Sequence, residues 1–190
     1  MDELGESNGS VWLALHRPLW FRDSGISQET ASPDDRDCEN KSPQSALTAV
    51  RARFTRQDAK LPVRLVLAGD IHLAQVFQPD RAEIPTELIA GNGGTKLDPL
   101  KPREGSAPGP EGAGYADAKV TSFGVQGSAF TIAEFGFMRM QREGAVWTVR
   151  LLGARGNTIA SCPVVELPEA TSTAPRTLTC TAETREKRER

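Results

Sequence analysis

The sequence has little net charge and no apolar run of membrane-spanning length. Its 190 residues contain 23 Lys and Arg against 25 Asp and Glu, which gives a formal net charge of -2. A chain this close to neutral has no general attraction to nucleic acid or to an anionic membrane, so neither is expected as a partner. The amino terminus, MDELGESNGS, is acidic and polar, unlike a signal peptide, and the default expectation is a cytoplasmic location.

Cysteine is scarce and irregularly spaced. The three cysteines are Cys38, Cys162 and Cys180, and no two of them form a C-x-x-C pair. This spacing excludes a zinc knuckle. A Cys162–Cys180 disulfide would need an oxidising compartment, and reduced thiols are the alternative that we expect.

Histidine is scarcer still, and both copies stand in similar places. His16 follows the apolar stretch 11–15, which Pro18 ends because proline lacks the backbone donor that a strand needs. His72 follows the strand predicted over 63–68, in the segment VRLVLAGDIHLAQ, with Asp70 two positions before it. Ligands bind beyond the carboxyl ends of strands in α/β sheets, so both positions are candidates for a site.

The rest of the chain predicts an α/β protein with more strand than helix. One helix is predicted over 42–57, where Ser42 and Pro43 are typical of a helix start and apolar residues recur at helical spacing. The segment AQVFQPDRAEIP (74–85) predicts a short strand followed by a turn, and TELIAGNGGTKLDP (86–99) predicts a third strand, at 87–90, that ends in a GNGG turn at 91–94. Residues 22–44 and 100–118 are predicted loops. Three strand-like runs over 134–166, separated by REG and ARGN, predict an antiparallel meander.

These elements place three polar features at strand ends. If strands 11–15, 63–68 and 87–90 are neighbours, then His16, the Asp70/His72 pair and the GNGG turn converge on one edge of a sheet. Imidazole and carboxylate together suit a borderline divalent metal. The structural alternative is that each histidine is simply hydrogen-bonded and that Asp70 closes a turn.

The order of four segments resembles the C-terminal half of a calcineurin-like metallophosphoesterase. The segments are ALHRPLW, LVLAGDIHLAQ, ELIAGNGGTKLD and EFGFMRMQREGAVWTVRLLGARGNTIASC. The resemblance covers residues 9–166 and implies part of a β-sandwich flanked by helices, β-rich and closing on the antiparallel meander. Residues 167–190 are expected to form a disordered tail.

The resemblance also implies roles for particular residues. His16 matches an isolated histidine that binds the second of two metals, and His72 matches the second histidine of a G-H-x-H motif. Asp70 stands where the family usually has the first histidine of that motif, so it would bind metal as a carboxylate. Asp70 and His72 are the catalytic candidates, and Asn92 in the GNGG turn is a weaker candidate for substrate binding.

The implied activity is hydrolysis of a phosphomonoester or phosphodiester by two divalent ions of Mn, Fe or Zn. The family's earlier motifs are D-x-H, G-D-x-x-D and G-N-H-D/E. Residues 70–72 fit D-x-H, but residues 95–118 contain no G-D, and the GNGG turn lacks the histidine and acid of G-N-H-D/E, so 70–72 are not assigned to the first motif. We therefore expect this chain to be part of such a domain and to be inactive alone. The alternative is a non-catalytic β-rich remnant or binding module.

Overall fold

The fold is described from a computed structural model. It covers residues 11–20, 48–54, 63–81, 83–94, 96–97, 107–108, 114–143, 146–164 and 179–182.

Eleven strands of the described residues form two sheets. The first is a mixed sheet with the strand order β1-β2-β4-β3-β7-β6-β5. Its strands are β1 (Val11–Leu15), β2 (Val63–Ala68), β3 (Ala74–Pro79), β4 (Thr86–Ala90), β5 (Ala107–Pro108), β6 (Gly114–Ser122) and β7 (Val125–Ile132). The second is an antiparallel sheet with the order β11-β10-β9-β8. Its strands are β8 (Gly136–Glu143), β9 (Val146–Gly153), β10 (Thr158–Val164) and β11 (Thr181–Ala182).

The two sheets share one apolar core. Leu65, Val76 and Ile132 of the mixed sheet lie in the same buried cluster as Val149 and Leu151 of the antiparallel sheet. All six residues of β3 are buried, as are four of the five residues of β4, because both faces of these central strands are covered. Strand β8 instead alternates, with Met138 and Met140 packed on the core and Arg139 exposed.

The opposite face of the mixed sheet is covered by a helix and by the segment that follows β1. Residues 48–54 are helical. Phe54 of this helix lies in a second buried cluster with Leu19, Trp20 and Phe77, and the rings of Trp20 and Phe54 meet edge to face at 5.4 Å. In the described part of the chain, no helix is long and apolar enough to cross a membrane.

Most predicted strands are confirmed. The strands predicted at 11–15, 63–68 and 87–90 correspond to β1, β2 and β4, and the short strand predicted within 74–85 corresponds to β3. The predicted meander corresponds to β8, β9 and β10. Helix is confirmed at 48–54, and the remainder of the predicted helix 42–57 and the predicted loop 22–44 lie outside the described residues. The architecture is therefore β-rich, with one mixed and one antiparallel sheet.

The prediction of a loop over 100–118 is wrong at two places. Residues 107–108 form β5, and 114–118 belong to β6, which pairs with β7 through a hairpin. The hairpin turn places Phe123 at φ 46° and Gly124 at φ 78°. Gly124 suits such a turn, but an aromatic residue at positive φ is rare, so the turn carries a weak sequence signal. The guanidinium of Arg51 lies 3.6 Å from the centroid of the Phe123 ring and packs against it.

The expectation of reduced thiols is also wrong for two of the three cysteines. Cys162 in β10 is bonded to Cys180, which directly precedes β11, with their Cα atoms 4.2 Å apart. The bond and the pairing of β11 with β10 fix residues 179–182 on the antiparallel sheet, within the tail that was predicted to be disordered. The other residues of 167–190, and Cys38, lie outside the described residues.

Candidate functional site at the edge of the mixed sheet

Three parallel neighbouring strands bring the predicted polar features to one edge. Strand β1 pairs in parallel with β2, and β2 pairs in parallel with β4. Their carboxyl ends therefore meet, and these ends carry His16, the Asp70/His72 pair and the GNGG turn. The predicted placement at one edge is confirmed, and it follows from strand order alone because parallel strands end on the same side.

His16 and Asp70 contact each other directly. The Nε2 atom of His16 lies 3.3 Å from Oδ1 of Asp70, and Nε of Arg17 lies 3.2 Å from Oδ2. The His16 side chain is 80% exposed, whereas those of Arg17 and Asp70 are 27% and 31% exposed. Asp70 thus holds an imidazole on one oxygen and a guanidinium on the other, at a surface open to solvent.

Asp70 occupies a turn that its backbone helps to close. Its φ is 66°, a left-handed conformation that Asp tolerates better than most residues. The Ile71 amide donates to the Gly69 carbonyl at 2.8 Å, and the Leu73 amide donates to the Ile71 carbonyl at 2.8 Å. Asp70 therefore lies in a tight turn and also binds His16 and Arg17 through its side chain, so the turn role and the site role can both hold.

The GNGG turn lies against the segment that carries His72. The Gly91 amide donates to the Leu73 carbonyl at 3.0 Å, and a Cβ on Gly94 would lie 3.8 Å from Cδ2 of His72. A Cβ on Gly91 would lie 1.7 Å from the Ile71 carbonyl oxygen. Only glycine allows this approach of two backbones, so Gly91 fixes the distance between the turn and the Asp70–His72 segment.

We expect Gly91→Ala to lower the free energy of unfolding by about 2 kcal/mol or more, because the backbones must separate to admit the methyl group. Gly94→Ala is the matched control, since its Cβ would make only ordinary contacts at 3.7 and 3.8 Å. Urea denaturation of the two variants measures the difference. Equal stability of the two variants would contradict the close approach at Gly91.

Asn92 ties the turn to the antiparallel sheet. Its side-chain nitrogen donates to the Glu134 carbonyl at 2.9 Å, and its own carbonyl accepts from the Gly136 amide at 3.2 Å. The side chain is only 3% exposed. These contacts give Asn92 a structural role, and substrate binding by Asn92 stays a prediction.

The residues at this edge fit a divalent metal only in part. Imidazole and carboxylate are suitable donors in kind. However, the guanidinium of Arg17 neutralises Asp70 and would oppose a second cation beside it. Over the residues that the structure covers, no group of three or more His, Cys, Asp or Glu side chains could hold a metal ion. The described residues therefore do not make a complete metal site.

Three charged residues near this edge have no motif in the sequence that marks them as functional. Arg17 directly follows His16, but a lone arginine after a strand is not a specific signal. Glu87 in β4 is fully buried and Arg51 in the helix nearly so, yet neither stands in a motif. The one available signal is that Glu87 lies within a predicted strand of otherwise mainly apolar residues, where a charge needs partners if the strand is buried.

No protein-family model matches the chain, and no curated protein is similar to it at a significant level.

Proposed function

We propose that this chain forms one part of a metal-dependent phosphoesterase site of the calcineurin-like kind, and that His16, Asp70 and His72 are its contribution. The remaining ligands would come from outside the described residues. The substrate would be a phosphomonoester or phosphodiester, and the metals would be Mn, Fe or Zn.

One observation supports the proposal above all others. The parallel order β1-β2-β4 brings an isolated histidine, the Asp70–His72 segment and a glycine-rich turn to the same edge, and these are the features on which the resemblance rests. The direct His16–Asp70 contact at 3.3 Å adds to it, because two ligands of one ion must approach each other in this way. Both histidines are exposed and accessible to an added ion.

Metal binding at this edge can be read from the imidazole signals. The chain has two histidines, so each ring gives one resolvable set of long-range 1H–15N correlations. We expect Mn²⁺ to broaden the signals of His16 and His72 together, and we expect Mg²⁺ at the same concentration to leave them sharp. Asp70→Asn should weaken the Mn²⁺ effect, because it removes the charged ligand at the centre of the pair.

The matched control is Asp80→Asn, which removes an exposed carboxylate from the turn after β3. This variant should bind Mn²⁺ as the unmodified chain does. The proposal is wrong if Mn²⁺ broadens neither histidine signal. It is also wrong if Mn²⁺ broadens both signals as strongly in Asp70→Asn as in the unmodified chain.

We expect no turnover of an aryl phosphodiester by this chain with Mn²⁺ supplied, because the described residues hold fewer donors than a two-metal clamp requires. The measurement is release of p-nitrophenol from bis(p-nitrophenyl) phosphate. A metal-dependent rate that His72→Ala abolishes would contradict this prediction and would show that the chain completes the site by itself.

A non-catalytic β-rich binding module is the second candidate, and the Arg17–Asp70 ion pair favours it. A carboxylate already paired with a guanidinium at 3.2 Å is partly neutralised before any metal arrives. Under this alternative, Mn²⁺ would leave both imidazole signals unchanged while Asp70→Asn would alter the His16 signal. The same titration therefore separates the two candidates.

A further inference from the structure

The segment that follows His16 is held from two sides by buried charged side chains. Pro18, Leu19 and Trp20 are buried and lie over the face of the mixed sheet that carries the helix. They belong to no strand or helix, so their backbone groups need partners from elsewhere. Glu87 supplies acceptors to this segment, and Arg51 supplies donors.

Glu87 binds the two backbone amides of the segment. The Leu19 amide donates to Oε1 at 2.6 Å, and the Trp20 amide donates to Oε2 at 2.8 Å. Glu87 is fully buried in β4, where it is paired with Val66 of β2 and Phe77 of β3. The segment must therefore cross over β2 to reach it, since β2 lies between β1 and β4.

Arg51 binds the carbonyls of the same segment. Its Nε donates to the Leu19 carbonyl, and its Nη2 donates to the Pro18 carbonyl at 3.4 Å. The guanidinium also packs on the Phe123 ring, and the side chain is only 8% exposed. Planar donors directed at two successive carbonyls, with a ring beneath them, are specific to arginine.

We propose that Glu87 and Arg51 are positioning residues that fix residues 18–20 and thereby set the place of His16 beside Asp70. His16 is two residues from the first anchored carbonyl, and its own carbonyl accepts from the Gly69 amide at 3.1 Å. The backbone that carries the imidazole is thus held at His16 by the Gly69 amide and from Pro18 onward by Arg51 and Glu87. The position of His16 depends on these contacts whether or not a metal is bound, and its relevance to catalysis rests on the proposed function.

Burial of Glu87 and Arg51 has an electrostatic cost, and their hydrogen bonds to residues 18–20 explain why charged side chains stand here. Burial raises the pKa of Glu87 to about 7, against the opposing effects of the Leu19 and Trp20 amides and of Arg51. Burial also lowers the pKa of Arg51, and Glu87 opposes that change. An apolar pair of similar volume is often as stable as two buried charges. Apolar side chains, however, would leave the backbone groups of Leu19 and Trp20 without these partners.

The test is Glu87→Gln in the full chain without metal. The amide nitrogen of glutamine cannot accept a hydrogen bond, so either the Leu19 or the Trp20 amide loses its partner. We expect hydrogen exchange at one or both of these amides to speed up by about fivefold or more. We also expect the imidazole signals of His16 to shift while those of His72 stay in place.

Arg51→Lys provides a second variant with the charge retained, and it should shift the same His16 signals because a lysine cannot reproduce the fork. Thr131→Val is the matched control: it removes a buried hydrogen bond to Gln75, at 2.8 Å, elsewhere in the same sheet. It should leave His16 unchanged.

Three results would overturn the positioning role. The first is an unchanged His16 signal in both variants, and the second is an equal shift of both histidines. The third needs no variant: rapid exchange of the Leu19 and Trp20 amides in the unmodified chain. Because all three measurements are made without metal, they separate this inference from the proposed function, which the Mn²⁺ titration tests.

Discussion

Reduction of the Cys162–Cys180 disulfide is expected to lower the free energy of unfolding by about 3 kcal/mol. The bond joins residues 18 apart in sequence, and cross-linking a loop of this length restricts the unfolded chain. It also fixes β11, which pairs with β10 at only two positions and has little else among its described contacts to hold it. For a chain of this length, the loss corresponds to a decrease in melting temperature of roughly 6–12 °C.

The measurement is thermal unfolding with and without a thiol reductant. Cys38→Ala is the matched control, because it removes the third cysteine and should show the same decrease on reduction. A Cys162→Ala/Cys180→Ala double variant should not respond to the reductant at all. Equal melting of the oxidised and reduced forms of the unmodified chain would show that the bond is absent or contributes nothing.

The disulfide also changes what is expected of the cellular environment. Disulfides persist mainly in oxidising compartments, whereas reduced thiols are the rule in the cytosol of mesophilic cells. Cys162 is fully buried, so its sulfur is shielded from attack by external thiols, whereas Cys180 is only partly buried. A formed Cys162–Cys180 bond is typical of an oxidising compartment, and the location of the chain stays a prediction.

The strands were predictable where the pattern of apolar residues was strong. The runs at 63–68 and 86–90 are mainly apolar because both faces of β2 and β4 are covered, and turn residues mark their ends. The hairpin between β6 and β7 was not predictable in the same way. Phe123 is at positive φ in its turn, and its ring is held by Arg51, which is distant in sequence.

The meeting of the polar residues at one edge of the mixed sheet was predictable because it requires only that the strands before them are parallel neighbours. Two histidines after two strands need only parallel neighbours to meet, and β1 and β2 are such neighbours. The partners of the site residues were not predictable. Arg17 reaches Asp70, and Glu87 reaches Leu19, only after residues far apart in sequence are brought together. Sequence pattern indicates where an edge forms, but not which charges neutralise one another there.

Glu87 should make the chain less stable as the pH rises from about 4.5 to about 7. Its pKa is raised from 4.5 to about 7, chiefly by burial, so the folded chain binds a proton that the unfolded chain has released in this interval. Stability falls with pH wherever the folded state binds more protons. The contribution is therefore greatest below the unfolded pKa of 4.5, and it is lost as the pH approaches the folded value.

The expected size of this effect is about 3 kcal/mol, from a difference of about 2.5 pKa units at 1.36 kcal/mol each. Other groups titrate in the same interval, so the quantity to measure is the stability of the unmodified chain minus that of Glu87→Gln, by urea denaturation from about pH 4.5 to about pH 8. Glutamine does not titrate. As the pH rises through this interval, the unmodified chain should therefore lose about 3 kcal/mol of stability relative to Glu87→Gln. Asp80→Asn, which changes an exposed carboxylate, is the matched control and should show a far smaller change. A pH-independent difference for Glu87→Gln would mean that Glu87 keeps the same charge in both states over this range, and that Arg51 and the two amides fully offset its burial.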